Sequence, residues 1–108
     1  MKKWEIEYLP EADKDFAGFN KAQQFQIDKA IDKVRQNPLT QNEGGLGKPL
    51  GNKSGIDLAG CCKIKLKKLG VRIVYELIRA DEAMVIVVVA ARADEEVYRL
   101  AFQRRQER

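Results

Sequence analysis

The feature that most limits the fold is an apolar run from Ala83 to Ala91, within which Met84 to Val89 offers no polar position at all. It is about half the ~18 residues that a membrane-spanning helix requires, and no other run in the chain is longer. A short, unbroken apolar stretch of this kind reads as a central strand covered on both sides. The segments before it supply its neighbours. Cys62-Lys63-Ile64-Lys65-Leu66-Lys67 alternates strictly, so Ile64 and Leu66 turn inward while Lys63, Lys65 and Lys67 share the other face. Lys68-Leu69-Gly70 turns the chain into a second strand, where Val71, Ile73, Tyr75 and Leu77 oppose Arg72, Val74 and Glu76. Ala80-Asp81-Glu82 is the next turn.

Trp4 to Leu9 alternates as a further strand, and Pro10 suits the first turn of a helix carrying Ala12, Phe16 and Phe19. Asn20 with Gln23 reads as a capping box. It opens a second helix with Ile27, Ala30, Ile31 and Val34 on its buried stripe and Lys21, Asp28, Asp32 and Arg35 facing water. Asn37-Pro38 ends it. Residues 38–60, with two prolines and six glycines, show no periodicity and read as loop. Asp94 is placed to cap a last helix with Val97, Leu100 and Ala101 inward and a solvated basic end at Arg104, Arg105 and Arg108. The expectation is one α+β domain over residues 1–108, ordered β-α-α-β-β-β-α. A helical hairpin packs on a mainly antiparallel four-stranded sheet, with a C-terminal helix.

Histidine is absent, which removes the commonest general base, the Ser/His and Cys/His nucleophile pairs and the commonest metal ligand. Cys61 and Cys62 are adjacent, so in an extended chain they point apart; they read as reduced, partly buried thiols and make no zinc site. The start of the chain shows no readable secretory signal, and a cytoplasmic protein with no membrane partner is expected. Net charge is +4, but its distribution says more. Residues 1–60 balance, whereas 61–79 carry six Lys or Arg against one acid. Such a concentration suits a polyanion partner, or is simply solvated surface.

Lys63 and Lys65 on one strand, Arg72 on the next, Arg92 after the third and Tyr98 early in the last helix converge if the strands form a meander. Four cations and a phenol make a plausible set for in-line RNA cleavage: a 2′-hydroxyl must lose a proton, phosphorane charge needs stabilising, and the 5′-oxygen must gain a proton. At these residues the chain resembles the bacterial RelE toxins of the RelE/ParE superfamily. The resemblance is carried by Cys61-Cys62-Lys63-Ile64-Lys65-Leu66, Gly70-Val71-Arg72-Ile73-Val74-Tyr75-Glu76, Val87-Val88-Val89-Ala90-Ala91-Arg92 and Glu96-Val97-Tyr98, with Gly47 to Leu50 in support.

That resemblance implies a type II toxin that enters the ribosomal A site and cuts mRNA by 2′-hydroxyl attack, with no metal or other cofactor. By motif position Lys65 matches the proposed general base and Arg92 the proposed acid or phosphate-stabilising group. Lys63 and Arg72 match residues holding the backbone and transition-state charge, and Tyr98 the tyrosine that orients the nucleotide. Lys67 and Lys68 are expected to contact RNA or rRNA. The implied partners are a RelB-like antitoxin and the ribosome with its mRNA. The chain departs from the family pattern at Cys62, where a tyrosine is usual, and at Ala90, Ala91, Ala93 and Asp94, where a glycine and further cations are usual. Fewer cations imply a weaker grip on phosphate. The rival reading is a ParE-like toxin that binds DNA gyrase and cuts nothing; a plain RNA-binding module is the third.

Overall fold

The computed structural model describes residues 3–53 and 55–107. The order is β1 (Glu5–Tyr8), α1 (Pro10–Ala17), α2 (Lys21–Val34), β2 (Lys48–Lys53), β3 (Ile56–Leu66), β4 (Val71–Ile78), β5 (Ala83–Ala90) and α3 (Asp94–Gln106). The strands lie as β1-β5-β4-β3-β2, with β1 parallel to β5 and every other pair antiparallel. The α+β class and mainly antiparallel sheet are as expected, with five strands instead of four. The extra strand, β2, lies in the stretch read as loop, and β3 begins at Ile56, inside that same stretch. β2 is an edge strand containing Pro49 and Gly51. An edge tolerates both residues, because one side of its backbone needs no sheet partner.

Helices cover both faces. Ala12, Ile27, Ile31 and Val34 of the first two helices pack on Cys62, Ile73, Tyr75 and Ile86, while Val97, Tyr98 and Ala101 of α3 pack on Cys61, Val74, Val87 and Val88. The Asn20–Gln23 capping box forms as expected. Arg35 does not face water: its Nε donates to the Trp4 carbonyl at 3.0 Å and ties α2 to the start of β1. Both cysteines are buried on opposite faces and not joined in a disulfide, and burial pushes the Cys62 thiol up from its ordinary range.

All eight residues of β5 are buried, and the strand changes parity along its length. Tyr75 pairs with Ile86 but Val74 pairs with Val88, so Val87 is an extra residue. After this bulge Val88 and Ala90 face α3, whereas Met84, Ile86 and Val89 face the hairpin. β1 ends at the level of Ile86, so the next backbone groups on that side of β5 need other partners. Asp15 accepts from the Val89 amide at 3.0 Å, and Arg104 donates to the Val87 carbonyl at 2.9 Å. The two side chains also pair with each other at 2.7 and 3.2 Å.

The expected solvated basic end of α3 is therefore not what the chain builds. Arg104 is 13 % exposed in its side chain, and Arg105 reaches Glu76 at 3.1 Å; Arg108 lies outside the described residues. Replacing Asp15 with alanine strands a half-buried guanidinium and a backbone amide, a loss of about 2–4 kcal/mol. In thermal denaturation this corresponds to a fall in Tm of roughly 10–20 °C, with Asp15→Asn recovering part of it because an acceptor remains. A shift of only a degree or two would show that the bulge stands without this pair.

Candidate active site

The β3–β4 hairpin places the basic residues. Lys67 to Gly70 form its turn, and Gly70 has φ +66°, a left-handed conformation that favours glycine. The register that follows sets Leu66 against Val71 and Lys65 directly against Arg72, so those two side chains leave the sheet as neighbours on the α3 face. Lys63 lies two residues back on the same face, opposite Val74, and Arg72 also pairs with Ala90, two residues before Arg92. Four of the expected residues thus lie together at one end of the sheet. The fifth, Tyr98, reaches them through its hydroxyl, 3.5 Å from Lys63 Nζ. Tyr98 is 8 % exposed and packs in the core.

The cations differ in freedom. Lys65 and Arg92 are exposed, and Lys63 and Arg72 are half-buried. Arg72 donates from Nε to Asp94 and from Nη1 to the Arg92 carbonyl at 2.6 Å. Asp94 therefore does not cap α3; Ala93 is the N-cap, and no side chain caps the helix. Lys67 and Lys68 lie beyond the end of β3, in the turn, so Lys67 does not continue the strand's alternation. They line a groove of about 540 Å³ with Lys65 and Gln26. A second groove of about 450 Å³ shares Gln26 and Leu66 and runs past Lys29 and Lys33 of α2. Arg79, the remaining cation of residues 61–79, sits at the far end of β4. It holds Glu43 at 2.7 and 2.8 Å, and those hydrogen bonds bring the Glu43 carboxyl down to about 2.

Lys48 is a member of this patch that periodicity does not reveal. Register pairs it with Lys63, which places both side chains on the α3 face and adds a cation at the sheet edge. The signal was the Gly47-Lys48-Pro49-Leu50 segment, masked as a strand by its proline. Lys53 also joins this region, lining a cavity of about 170 Å³ with Ile56, Tyr98 and the acids Asp94 and Glu95. Among the described residues no three of Cys, Asp and Glu come together as a metal-holding group. What the patch offers is donors for several phosphate oxygens, a phenol, and two exposed cations within reach of solvent.

No protein-family model matches the chain. A RelE-like toxin protein of Escherichia coli is 34% identical over 104 residues, covering 94% of this chain and 97% of the relative. Among solved structures, an arginine double mutant of the E. coli toxin RelE in the free state superposes with a TM-score of 0.73 at 22% identity, over 95% of this chain and 98% of that one. The same mutant bound to a peptide of the antitoxin RelB gives 0.69 at 22% identity, over 93% and 95%. A RelBE toxin–antitoxin complex of Mycobacterium tuberculosis gives 0.66 at 21%, over 87% and 97%. At these identities the structures speak for the fold.

If the patch binds a polyanion, its affinity for a short single-stranded DNA must depend on Lys63 and Lys65. In Lys63→Ala/Lys65→Ala the slope of log K against log salt should fall by about 0.7 for each phosphate that is no longer neutralised. An unchanged slope would show that neither lysine holds a phosphate.

Proposed function

The chain belongs to the family of RelE-like toxins, and from that footing we propose that it is the toxin of a type II toxin–antitoxin pair and cuts mRNA in the ribosomal A site. The observation that carries this reading is the convergence of Lys63, Lys65, Arg72 and Arg92 at one end of the sheet with the Tyr98 hydroxyl beside Lys63. Inhibition of gyrase by binding alone gives no reason for that set.

In the proposed reaction the 2′-oxygen attacks the adjacent phosphorus as its proton passes to Lys65, the general base. The O2′–P bond forms, the P–O5′ bond breaks, and the 5′-oxygen gains a proton, with Arg92 as the group nearest that role. The products are a 2′,3′-cyclic phosphate and a 5′-hydroxyl. Lys63 and Arg72 hold the charge that gathers on the nonbridging oxygens. Tyr98 acts through its hydroxyl, since its ring is engaged in the core. Lys67, Lys68 and the grooves beside them suit rRNA backbone, whose phosphates need many weak contacts and no particular geometry.

An antitoxin is the second partner proposed. Arg104 and Arg105 pin the C-terminal half of α3, while its earlier turns pack through Val97, Leu100 and Ala101. An amphipathic helix of acidic and apolar character therefore competes for that apolar surface and carries Tyr98 away from Lys63. Charge speeds the capture and apolar burial slows release. Hydrogen exchange on the complex should then show changed protection over β3, β4 and α3. Protection confined to residues 1–40 would contradict this mode of neutralisation.

Lys65→Ala and Arg92→Ala test the chemistry. Each removes a group that acts mainly in the transition state, worth ~3 kcal/mol or about a hundredfold in rate. Single-turnover cleavage of ribosome-bound mRNA should fall by that factor while cosedimentation with ribosomes persists. Full activity in the double variant, with an unchanged fold, would remove both residues from the mechanism.

A further inference from the structure

Two cations of the patch already hold anions. Arg72 donates from Nε to the Asp94 carboxylate, and Arg92 lies 3.6 Å from a carboxylate oxygen of Glu96. Both acids belong to the first turn of α3. A third, Glu95, stands between them in sequence and reaches Arg99 at 2.7 Å. Acids in a first turn have a general reason to be there, because they face the positive end of the helix dipole. That reason applies to all three alike. It leaves unexplained why Asp94 reaches back to the sheet while the N-cap stays without a side-chain bond.

To a guanidinium, a carboxylate oxygen and a phosphate oxygen are the same kind of acceptor. We propose that Asp94 and Glu96 are built-in stand-ins for substrate phosphates, which an RNA must displace from Arg72 and Arg92. The two acids thereby determine which RNA is accepted. A strand whose phosphates are held in place loses little freedom on binding and displaces them readily; a free, flexible strand loses more and displaces them only at higher concentration. This rests on reading the patch as a phosphate site. The two pairs are unequal: Arg72 and Asp94 are 24% and 43% exposed, whereas Arg92 and Glu96 are 59% and 63% exposed. Asp94 therefore carries most of the effect.

The test is the affinity for a short single-stranded DNA, which lacks the 2′-hydroxyl and stays intact, measured by fluorescence anisotropy. The proteins compared are the wild type, Asp94→Asn, Glu96→Gln and Glu95→Gln. Glu95→Gln removes the same charge from the same turn and frees only Arg99, which is not one of the cations held by Asp94 or Glu96, so it reports bulk electrostatics. Asp94→Asn should bind about fivefold to tenfold more tightly than Glu95→Gln, and Glu96→Gln about twofold. Equal affinities for Asp94→Asn and Glu95→Gln would overturn the proposal. A second readout is the Arg72 Nε–H proton resonance, which should move in Asp94→Asn and also when the wild type is titrated with the DNA. Movement with the substitution but not with DNA would equally overturn it. Cleavage keeps this separate from the nuclease reading: graded tightening without cleavage by any protein upholds displacement and retires the nuclease. Ribosome-dependent cleavage with equal affinities does the reverse.

Discussion

The Val87 carbonyl and the Val89 amide of β5 lie past the end of β1, where no strand remains to receive them, and Arg104 and Asp15 take that place. Backbone groups left unpaired in the interior cost about 1–3 kcal/mol each, so the bulge at Val87 depends on this pair. The bulge in turn decides what faces α3. It turns Val88 and Ala90 toward α3, and Ala90 is the register partner of Arg72. Moving a strand by one residue reverses every side chain beyond the slip. The β3–β4 turn sets Arg72 opposite Lys65, but the placement of Ala90 beside Arg72, and so of Arg92 just past the strand, follows from a polar pair at the other end of α3.

That arrangement gives the two faces of the sheet different work. The hairpin face is filled by aliphatic residues and Tyr75, whose hydroxyl donates to the Pro38 carbonyl at 2.8 Å and closes the long loop over the core. The α3 face is apolar over only part of its area, and toward the turn end of β3 and β4 it becomes a basic surface. α3 spans the boundary. Its C-terminal half is anchored by Arg104 and Arg105, while its first turn meets the cations and Tyr98 meets Lys63. One helix is therefore both core element and neighbour of the site, and whatever moves it alters both.

The parts legible in the sequence were those with a local signal. Strict alternation in Cys62 to Leu66 put Lys63 and Lys65 on one face, and the Asn20–Gln23 box marked the start of α2. The rest lacked such a signal. An all-apolar strand has no visible parity, so the bulge at Val87 was hidden by the very run that announced β5. β2 is short, edge-lying and mostly exposed, with proline and glycine in it, and it carried Lys48 out of view. Asp15 and Arg104 are 89 residues apart, beyond any local pattern. Asp94 stood where a cap is expected, and only tertiary contact shows that its carboxylate goes to Arg72 instead.

The central claim is that a cluster of cations with no histidine among them cuts mRNA where the ribosome presents it. Primer extension on cellular transcripts shortly after induction of the chain tests this most directly. The account predicts new 5′ ends at a fixed position within codons, in translated regions only. Unchanged mRNA ends together with a loss of negative supercoiling in reporter plasmids would contradict it and point to gyrase as the target.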